Sequence, residues 1–451
     1  MSVQIGYDSD SRLIISGIAC PCGGEHSLPH QDIYVGTGLL GRVPRYIRQR
    51  GLGRRCVLVA DNNTWPLAGE TVAQALAAGG VEVTPCVIRR SGAMEPDETA
   101  CGEVLLSMQT ETEFLVSVGS GSITDTTRVV AMRTGKPFVC VGTAPSMDGY
   151  TSVVAPLDLR GVKIHRPAVC PEIIVADLDI LRTAPLPMVI SGVGDVLGKY
   201  IAKADWKIGQ IINDEAYCDV CGEIVTQAVD KLMVSIADIK AKTERGIRIL
   251  IEALLLAGVT IMIAGHTRAV ASIEHNVVHY WDMQQLMHGR RPPAHGAAVG
   301  AATLLVWPLF RRFAGEDLSR LDLAQIRSRR LDRGQREQWL LDSYGEEAAT
   351  AIMRENPADF LSWTEQERRI RQAQARHGEI RQVIAEMPPF ERIDAAMREL
   401  GAPMTAREVG IDDQLRNRSL YAAKDYRTRY SLFKLLDECG LLPEYLADFP
   451  L

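Results

Sequence analysis

The period of the hydrophobic positions changes along this chain. In the first part, short apolar runs alternate with stretches of helical spacing. Arg55–Asp61, Glu82–Ile88, Leu115–Val118, Pro137–Val141 and Ile173–Asp177 read as strands. Thr71–Ala78, Thr99–Met108 and Ile123–Arg133 read as the helices between them. Strands that alternate with helices predict a mostly parallel, doubly wound sheet. Residues 1–50 suggest an antiparallel start, followed by the segment Ile33–Gly51. Past Ile173–Asp177 the pattern changes. Pro185 and Pro187 mark a hinge, and beyond them almost every segment carries helical periodicity. The expected fold class is therefore α/β. An N-terminal Rossmann-like domain with a mostly parallel sheet covers residues 1–185, and an all-helical C-terminal domain covers 186–451.

Composition narrows the picture without redirecting it. The 451 residues are 46% hydrophobic and 24% charged, which is long enough and apolar enough for two or more domains. A net charge of −6 provides no global basic field for nucleic acid. The start, MSVQIGYDSDSRL, has no basic segment followed by an apolar core, so no secretory leader is expected. The longest apolar run, Ala253–Ala264, is too short to span a bilayer and reads as a buried helix, so no membrane insertion is expected. Ten scattered cysteines suit reduced thiols in a cytosol, which makes a cytoplasmic protein the expectation. Cys20 and Cys22 with His26, and the pair Cys218 and Cys221, have metal-ligand character. Neither has a second matching pair, so structural thiols are the favoured reading, with a loop site of Cys20, Cys22 and His26 left open. Arg311–Arg392 is dense in Arg, Glu and Gln, and reads as solvated helix faces.

The candidate chemistry lies in two places. Gly119-Ser120-Gly121-Ser122 joins a strand to a helix. Glycines admit a close backbone approach, and the open N–H groups at the helix start suit a phosphate. Any tight strand-to-helix turn favours glycine, so this loop alone carries even weight. A second loop, Thr143–Gly149, follows the next strand, and both loops would lie at carboxyl ends of parallel strands, where open sheets bind ligands. Asp61, at the end of another strand, can accept from an adenosine ribose and repel a 2′-phosphate, or can simply cap its own loop. In the helical half, Ser191-Gly192-Val193-Gly194-Asp195 sits where a helix would start. Glu274–His279 puts two imidazoles four apart on one helix face. His295 precedes a further helix. One carboxylate with two or three histidines would make a catalytic divalent-metal site, although any one of these histidines by itself reads as a hydrogen-bonded, partly buried imidazole.

Taken together, the segments GSGSITD, TAPSMDGYTS, SGVGD, EHNVVH and HGAAVG resemble sn-glycerol-1-phosphate dehydrogenases, specifically their bacterial AraM-like branch. That branch belongs to the superfamily of iron-type alcohol dehydrogenases, glycerol dehydrogenase and dehydroquinate synthase. The resemblance runs from CPCGGEH near the start to AAKDYRTRYSLFKLLDECGLL near the end. It implies NAD- and metal-dependent reduction of dihydroxyacetone phosphate to sn-glycerol 1-phosphate, and the reverse oxidation. It implies that Gly121, Ser122, Ile123, Thr124 and Asp125 cradle the pyrophosphate and meet the nicotinamide end, and that Thr143, Ala144, Pro145, Ser146 and Ser152 also touch NAD, with NADP as the alternative cofactor. Asp148 and His279 would bind substrate. Asp195, His275 and His295 would hold one divalent metal, Zn or Ni, with Asp195 also touching substrate. His295 is preferred to His288 because it precedes Gly-Ala-Ala-Val-Gly, matching the family's HG-x-x-VG. The implied partners are a small phosphorylated substrate and further copies of the chain, a homo-oligomer of dimeric kind. Two places depart from the family. Its SRPASG stands here as Thr267-Arg268-Ala269-Val270-Ala271-Ser272, and its HGE as His295-Gly296-Ala297. A lyase like dehydroquinate synthase, and a nucleotide-binding module without catalysis, are the alternative readings.

Overall fold

The computed structural model describes every residue except 1, 2, 19, 21, 23–30, 93, 160, 161, 357–359 and 451. His26, a candidate in the N-terminal cysteine loop, lies outside the described residues. The chain forms two compact units. One comprises residues 1–196 and 223–266, the other 197–222 and 267–451.

In the first unit, β1 (Gln4–Tyr7) and β2 (Leu13–Ser16) make an antiparallel hairpin. The principal sheet is built from β3 (Asp32–Gly36), β4 (Arg55–Asp61), β5 (Glu82–Ile88), β6 (Phe114–Gly119) and β7 (Phe138–Gly142). A second antiparallel hairpin, β8 (Val154–Leu159) and β9 (Val162–Pro167), precedes the last strand, β10 (Ile173–Asp177). The order across the six-stranded sheet is β3-β10-β7-β6-β4-β5, and every neighbouring pair is parallel. Every residue of β6, β7 and β10 is buried. Strands covered on both faces carry apolar residues at consecutive positions, which is why these runs stand out in the sequence. The β8–β9 hairpin has no such signal, since Pro156 and Pro167 interrupt it.

The chain leaves β4 towards β5 on one side and β6 towards β7 on the other, so the direction of winding reverses between β4 and β6. Open α/β sheets bind ligands in the crevice outside the carboxyl ends of such a pair. Asp61 ends β4, and Gly119 ends β6.

The compact units do not part at residue 185. The first unit runs on to residue 196 and also takes in 223–266, including the helix Glu244–Ala264. Helical periodicity shows that a segment buries one face, but not which neighbour covers it. The helix Leu186–Leu197 begins directly after Pro185. Pro187 occupies its first turn, where the missing N–H costs nothing. Ser191–Asp195 therefore lie well inside this helix, which corrects their expected place at a helix start.

Among the described residues the second unit is helical. Two apolar helices have the length of a membrane span. Glu244–Ala264 has 21 residues and mean hydropathy 2.2, and His295–Ala314 has 20 residues and mean hydropathy 1.2. The run Ala253–Ala264 is the second half of the longer one. In each, 72% of the apolar window is buried within the fold, as befits core helices.

Candidate active site

Two loops of the first unit form one platform. The helix Gly121–Thr134 starts a single residue after β6 ends. Its hydrogen-bond ladder begins with Thr124 N donating to the Ser120 carbonyl at 3.0 Å. The N–H groups of Gly121, Ser122 and Ile123 precede that first rung, at the positive end of the helix. Gly119 is required by packing, because a Cβ there would lie 2.6 Å from Cβ of Ile123. Thr124 and Asp125 are buried. Thr124 Oγ1 lies 3.6 Å from Cys140 Sγ, and Asp125 Oδ1 lies 3.6 Å from Arg128 Nε.

The second loop is tied to the first, since Thr143 N donates to the Gly119 carbonyl at 3.0 Å. Three side chains fix its path. Tyr150 Oη donates to the Ala144 carbonyl at 2.6 Å. The fully buried Arg128 donates to the carbonyls of Gly149, Tyr150, Ser152 and Val154 at 2.5, 3.1, 3.0 and 3.3 Å. Ser191 Oγ donates to the Ser146 carbonyl at 3.0 Å. Asp195, one turn beyond Ser191, accepts from Asp148 N through Oδ2 at 3.0 Å. Between them, a Cβ on Gly192 would overlap the Pro145 carbonyl. One face of the helix Leu186–Leu197 thus lies along Pro145–Asp148, which gives SGVGD its physical meaning. The structure brings Asp148 and Asp195 together, beside the loop that carries Thr143, Ala144, Pro145 and Ser146. Ser152 lies further on, its Oγ donating to the Val154 carbonyl at 2.7 Å.

Asp61 is buried and caps its own turn. Its Oδ1 accepts from Asn63 N at 2.8 Å and Thr64 N at 2.7 Å.

In the second unit, His275 and His279 on the helix Ile273–Met287 meet His295, the first residue of His295–Ala314. Their ring centroids are 6.3 Å (His275–His279), 5.4 Å (His275–His295) and 5.8 Å (His279–His295) apart. Ligand nitrogens of His275 and His295 approach within 4.8 Å. His275 is buried, while His279 and His295 are half-buried. His275 Nδ1 is 2.7 Å from Oε1 of Glu274, which is itself fully buried and also accepts from Ser272 N at 2.9 Å. A carboxylate on Nδ1 fixes the imidazole tautomer and presents Nε2 as a donor, the usual arrangement behind a metal-ligating histidine. The residues therefore fit a divalent ion.

Deeper support comes from Asp205, also fully buried. It accepts from Ser272 Oγ at 2.6 Å and from Leu432 N at 2.7 Å. Burial pushes its carboxyl up to about 7, against the hydrogen bonds that favour the anion. The departing segment Thr267–Ser272 is held from outside as well. Arg429 donates to the Ala271 carbonyl and, at 2.6 Å, to Thr267 Oγ1, and Arg268 is ion-paired with Glu215. The departing Ala297 is buried.

The ten cysteines are thiols without disulfides. Cys218 and Cys221 are buried, Cys221 N donating to Cys218 Sγ at 3.4 Å. Sequence reasoning missed Arg128 and Asp205 as parts of the site, and named Ser191, Gly192 and Glu274 within their motifs without a role of their own. Arg128 had a signal, a lone charge among Thr126, Thr127, Val129 and Val130, and Glu274 stands directly before a candidate ligand. Asp205 had none.

Residues 34–185 match the family model of iron-containing alcohol dehydrogenases. A glycerol-1-phosphate dehydrogenase, NAD(P)+, of Halalkalibacterium halodurans is 38% identical over 298 residues, 65% of this chain and 74% of that protein. A glycerol-1-phosphate dehydrogenase, NAD(P)+, of Geobacillus stearothermophilus is 30% identical over 93% of this chain and 95% of its own length. Among solved structures, a probable glycerol dehydrogenase of Sinorhizobium meliloti shares the fold with TM-score 0.58 at 17% identity, over 94% of this chain and 99% of that one. A 1,3-propanediol oxidoreductase does so with TM-score 0.60 at 15% identity, over 93% and 99%.

Proposed function

Because this chain belongs to the glycerol-1-phosphate dehydrogenase family, we propose that it interconverts dihydroxyacetone phosphate and sn-glycerol 1-phosphate with NAD and one divalent metal. The observation that carries this reading is the three-imidazole cluster with Glu274 behind His275, in a chain that also has two tied loops at the carboxyl ends of neighbouring parallel strands.

The bound nicotinamide supplies the hydride for ketone reduction, or accepts it in the reverse direction. Gly121, Ser122 and Ile123 offer backbone N–H groups to the pyrophosphate. Thr143, Ala144, Pro145, Ser146 and Ser152 line the path of the dinucleotide. Thr124 and Asp125 complete this turn from its buried side. Asp61 favours NAD over NADP through its charge.

Asp195, His275 and His295 are the residues that would hold the ion, which supplies a Lewis acid for the ketone oxygen. Two neutral nitrogens and a carboxylate suit Zn or Ni and do not choose between them. Glu274 keeps His275 in the ligating tautomer. His279, the third imidazole, orients the substrate hydroxyl. Asp148, anchored by its backbone N–H to Asp195, binds the substrate.

The test is direct. Purified protein is incubated with dihydroxyacetone phosphate and NADH, with Zn or Ni added, and metal is measured on the same sample. NADH consumption dependent on both substrate and metal is expected. No consumption with this substrate or any small polyol phosphate overturns the reading. Product formed without net NADH change points to the lyase instead.

A further inference from the structure

We propose that the loop Tyr426–Arg429 is the element that recognises the substrate's phosphate, with Arg427 as the group that binds it. The proposal rests on the functional reading above for the identity of the phosphate ester, but the site stands on its own geometry.

The loop lies beside the imidazole cluster. The Tyr426 ring sits 5.4 Å from the His279 ring, centroid to centroid, and the Arg427 guanidinium lies over the Tyr426 ring at 4.9 Å. A guanidinium stacked on an aromatic face keeps its plane fixed and its N–H edge open, which is the geometry for bidentate contact with phosphate. Two stacking contacts in series separate this cation from the imidazole expected to meet the substrate hydroxyl.

The loop is held rigidly. Lys434 Nζ donates to the carbonyls of Arg427 and Thr428 at 2.8 and 3.4 Å. Tyr430 Oη donates to Glu438 Oε2 at 2.7 Å, and Leu432 N to Asp205 at 2.7 Å. Arg429 fastens it to Thr267 and Ala271.

Charge distinguishes this loop from its surroundings. Several arginines of the same unit are paired with acids, among them Arg268 with Glu215, and Arg336 with Asp425 at 2.6 Å. Among the described residues no carboxylate pairs with Arg427. Desolvation first, and then the Arg427 and Arg268 guanidiniums against the pull of Glu274, push the Arg429 guanidinium down to about 10. Cations held together in this way gain from a dianion that enters among them.

The test compares the wild type with Arg427→Ala and Arg427→Lys. Inorganic phosphate is titrated against each by thermal shift, and kcat/KM is measured for dihydroxyacetone phosphate and for unphosphorylated dihydroxyacetone. The expected result is a phosphate-induced shift in the wild type that Arg427→Ala loses. The ratio of kcat/KM for the phosphorylated over the unphosphorylated ketone should fall by about a hundredfold in Arg427→Ala, as loss of a charge-assisted pair predicts. Arg427→Lys should recover part of both. An unchanged phosphate shift overturns the proposal, and so does an equal fall with both ketones, which marks a merely structural arginine. If the wild type turns over neither ketone, the functional reading fails. The phosphate titration still decides the anion site.

Discussion

In the sheet-bearing unit the groups proposed to meet the dinucleotide's pyrophosphate belong to the backbone. They are N–H groups at the start of one helix and a loop whose carbonyls are pinned by Arg128, Tyr150 and Ser191. In the helical unit the candidate groups are side chains, two imidazoles set by helix spacing, one of them held by the buried Glu274, and a third brought in by the packing of a second helix. A backbone site is changed by altering the shape around it, whereas a side-chain site is changed by deleting one atom group. The contrast predicts opposite sensitivities in the two units, and variants in each can break or sharpen it.

The largest effect is expected from His275→Ala. It removes a metal donor and leaves Glu274 buried without its partner. Activity should fall by on the order of a thousandfold, since Lewis-acid assistance amounts to several kcal/mol. Metal content should fall with it, while NADH still binds by fluorescence titration. Full metal occupancy in this variant would remove His275 from the ligand set.

Glu274→Gln comes next. The amide keeps the shape but can present its NH₂ to Nδ1, which disturbs the tautomer. Metal affinity should weaken roughly 10- to 100-fold, the range for groups that orient a metal ligand. Competition with a chelator measures it. Unaltered affinity would leave Glu274 a purely structural acid.

Gly192→Val tests the other unit. The added side chain meets the Pro145 carbonyl and pushes the second loop out of place. Overpacking of this kind costs about 1–3 kcal/mol, so NAD affinity should drop about tenfold or more. Metal binding should survive. Equal loss of metal and NAD would show that the two sites do not respond separately.

Asp205→Asn reads through pH. The folded protein holds this carboxyl near 7, above its ordinary value of 3.8. The folded state therefore binds the proton more tightly than the unfolded chain does. The stabilisation this gives is complete below about pH 4 and is lost as pH rises through about 7. Asn stays neutral, so the melting temperature of the variant should decline less over that window. Parallel curves for the two proteins would assign the burial penalty elsewhere.

How much of this was legible in sequence follows the same division. The strands β4, β6, β7 and β10 were readable because both faces are buried and nearly every residue is apolar. The two loops were readable because each follows its strand directly. The proline-bearing β8–β9 hairpin was not. Nor was the return of 223–266 to the first unit, since the helix Glu244–Ala264 shows its apolar face without naming its neighbour. His275 and His279 were visible as a pair four apart, but the approach of His295 depends on how two helices pack. Ser191 and Gly192 were noticed as a motif and misplaced to a helix start, because Pro185 and Pro187 imitate a break. Asp205 acts across more than 60 positions on Ser272, and no local pattern encodes that.

The smallest expected effect bears on Asp61, where the two readings of a strand-end acid can be separated. Its Oδ1 already accepts from Asn63 and Thr64, so the capping role is present whatever else it does. Asp61→Asn keeps an oxygen for those two N–H groups and removes only the charge. If the carboxylate also faces the adenosine ribose, loss of that charge should relieve its repulsion of a 2′-phosphate. The NADP to NAD affinity ratio should then rise about fivefold, equivalent to roughly 1 kcal/mol. Asp61→Ala should shift the ratio likewise but also lower the melting temperature, since it abandons the turn. A ratio that stays fixed in Asp61→Asn, with stability lost only in Asp61→Ala, would leave Asp61 a turn cap and move cofactor selectivity to other groups.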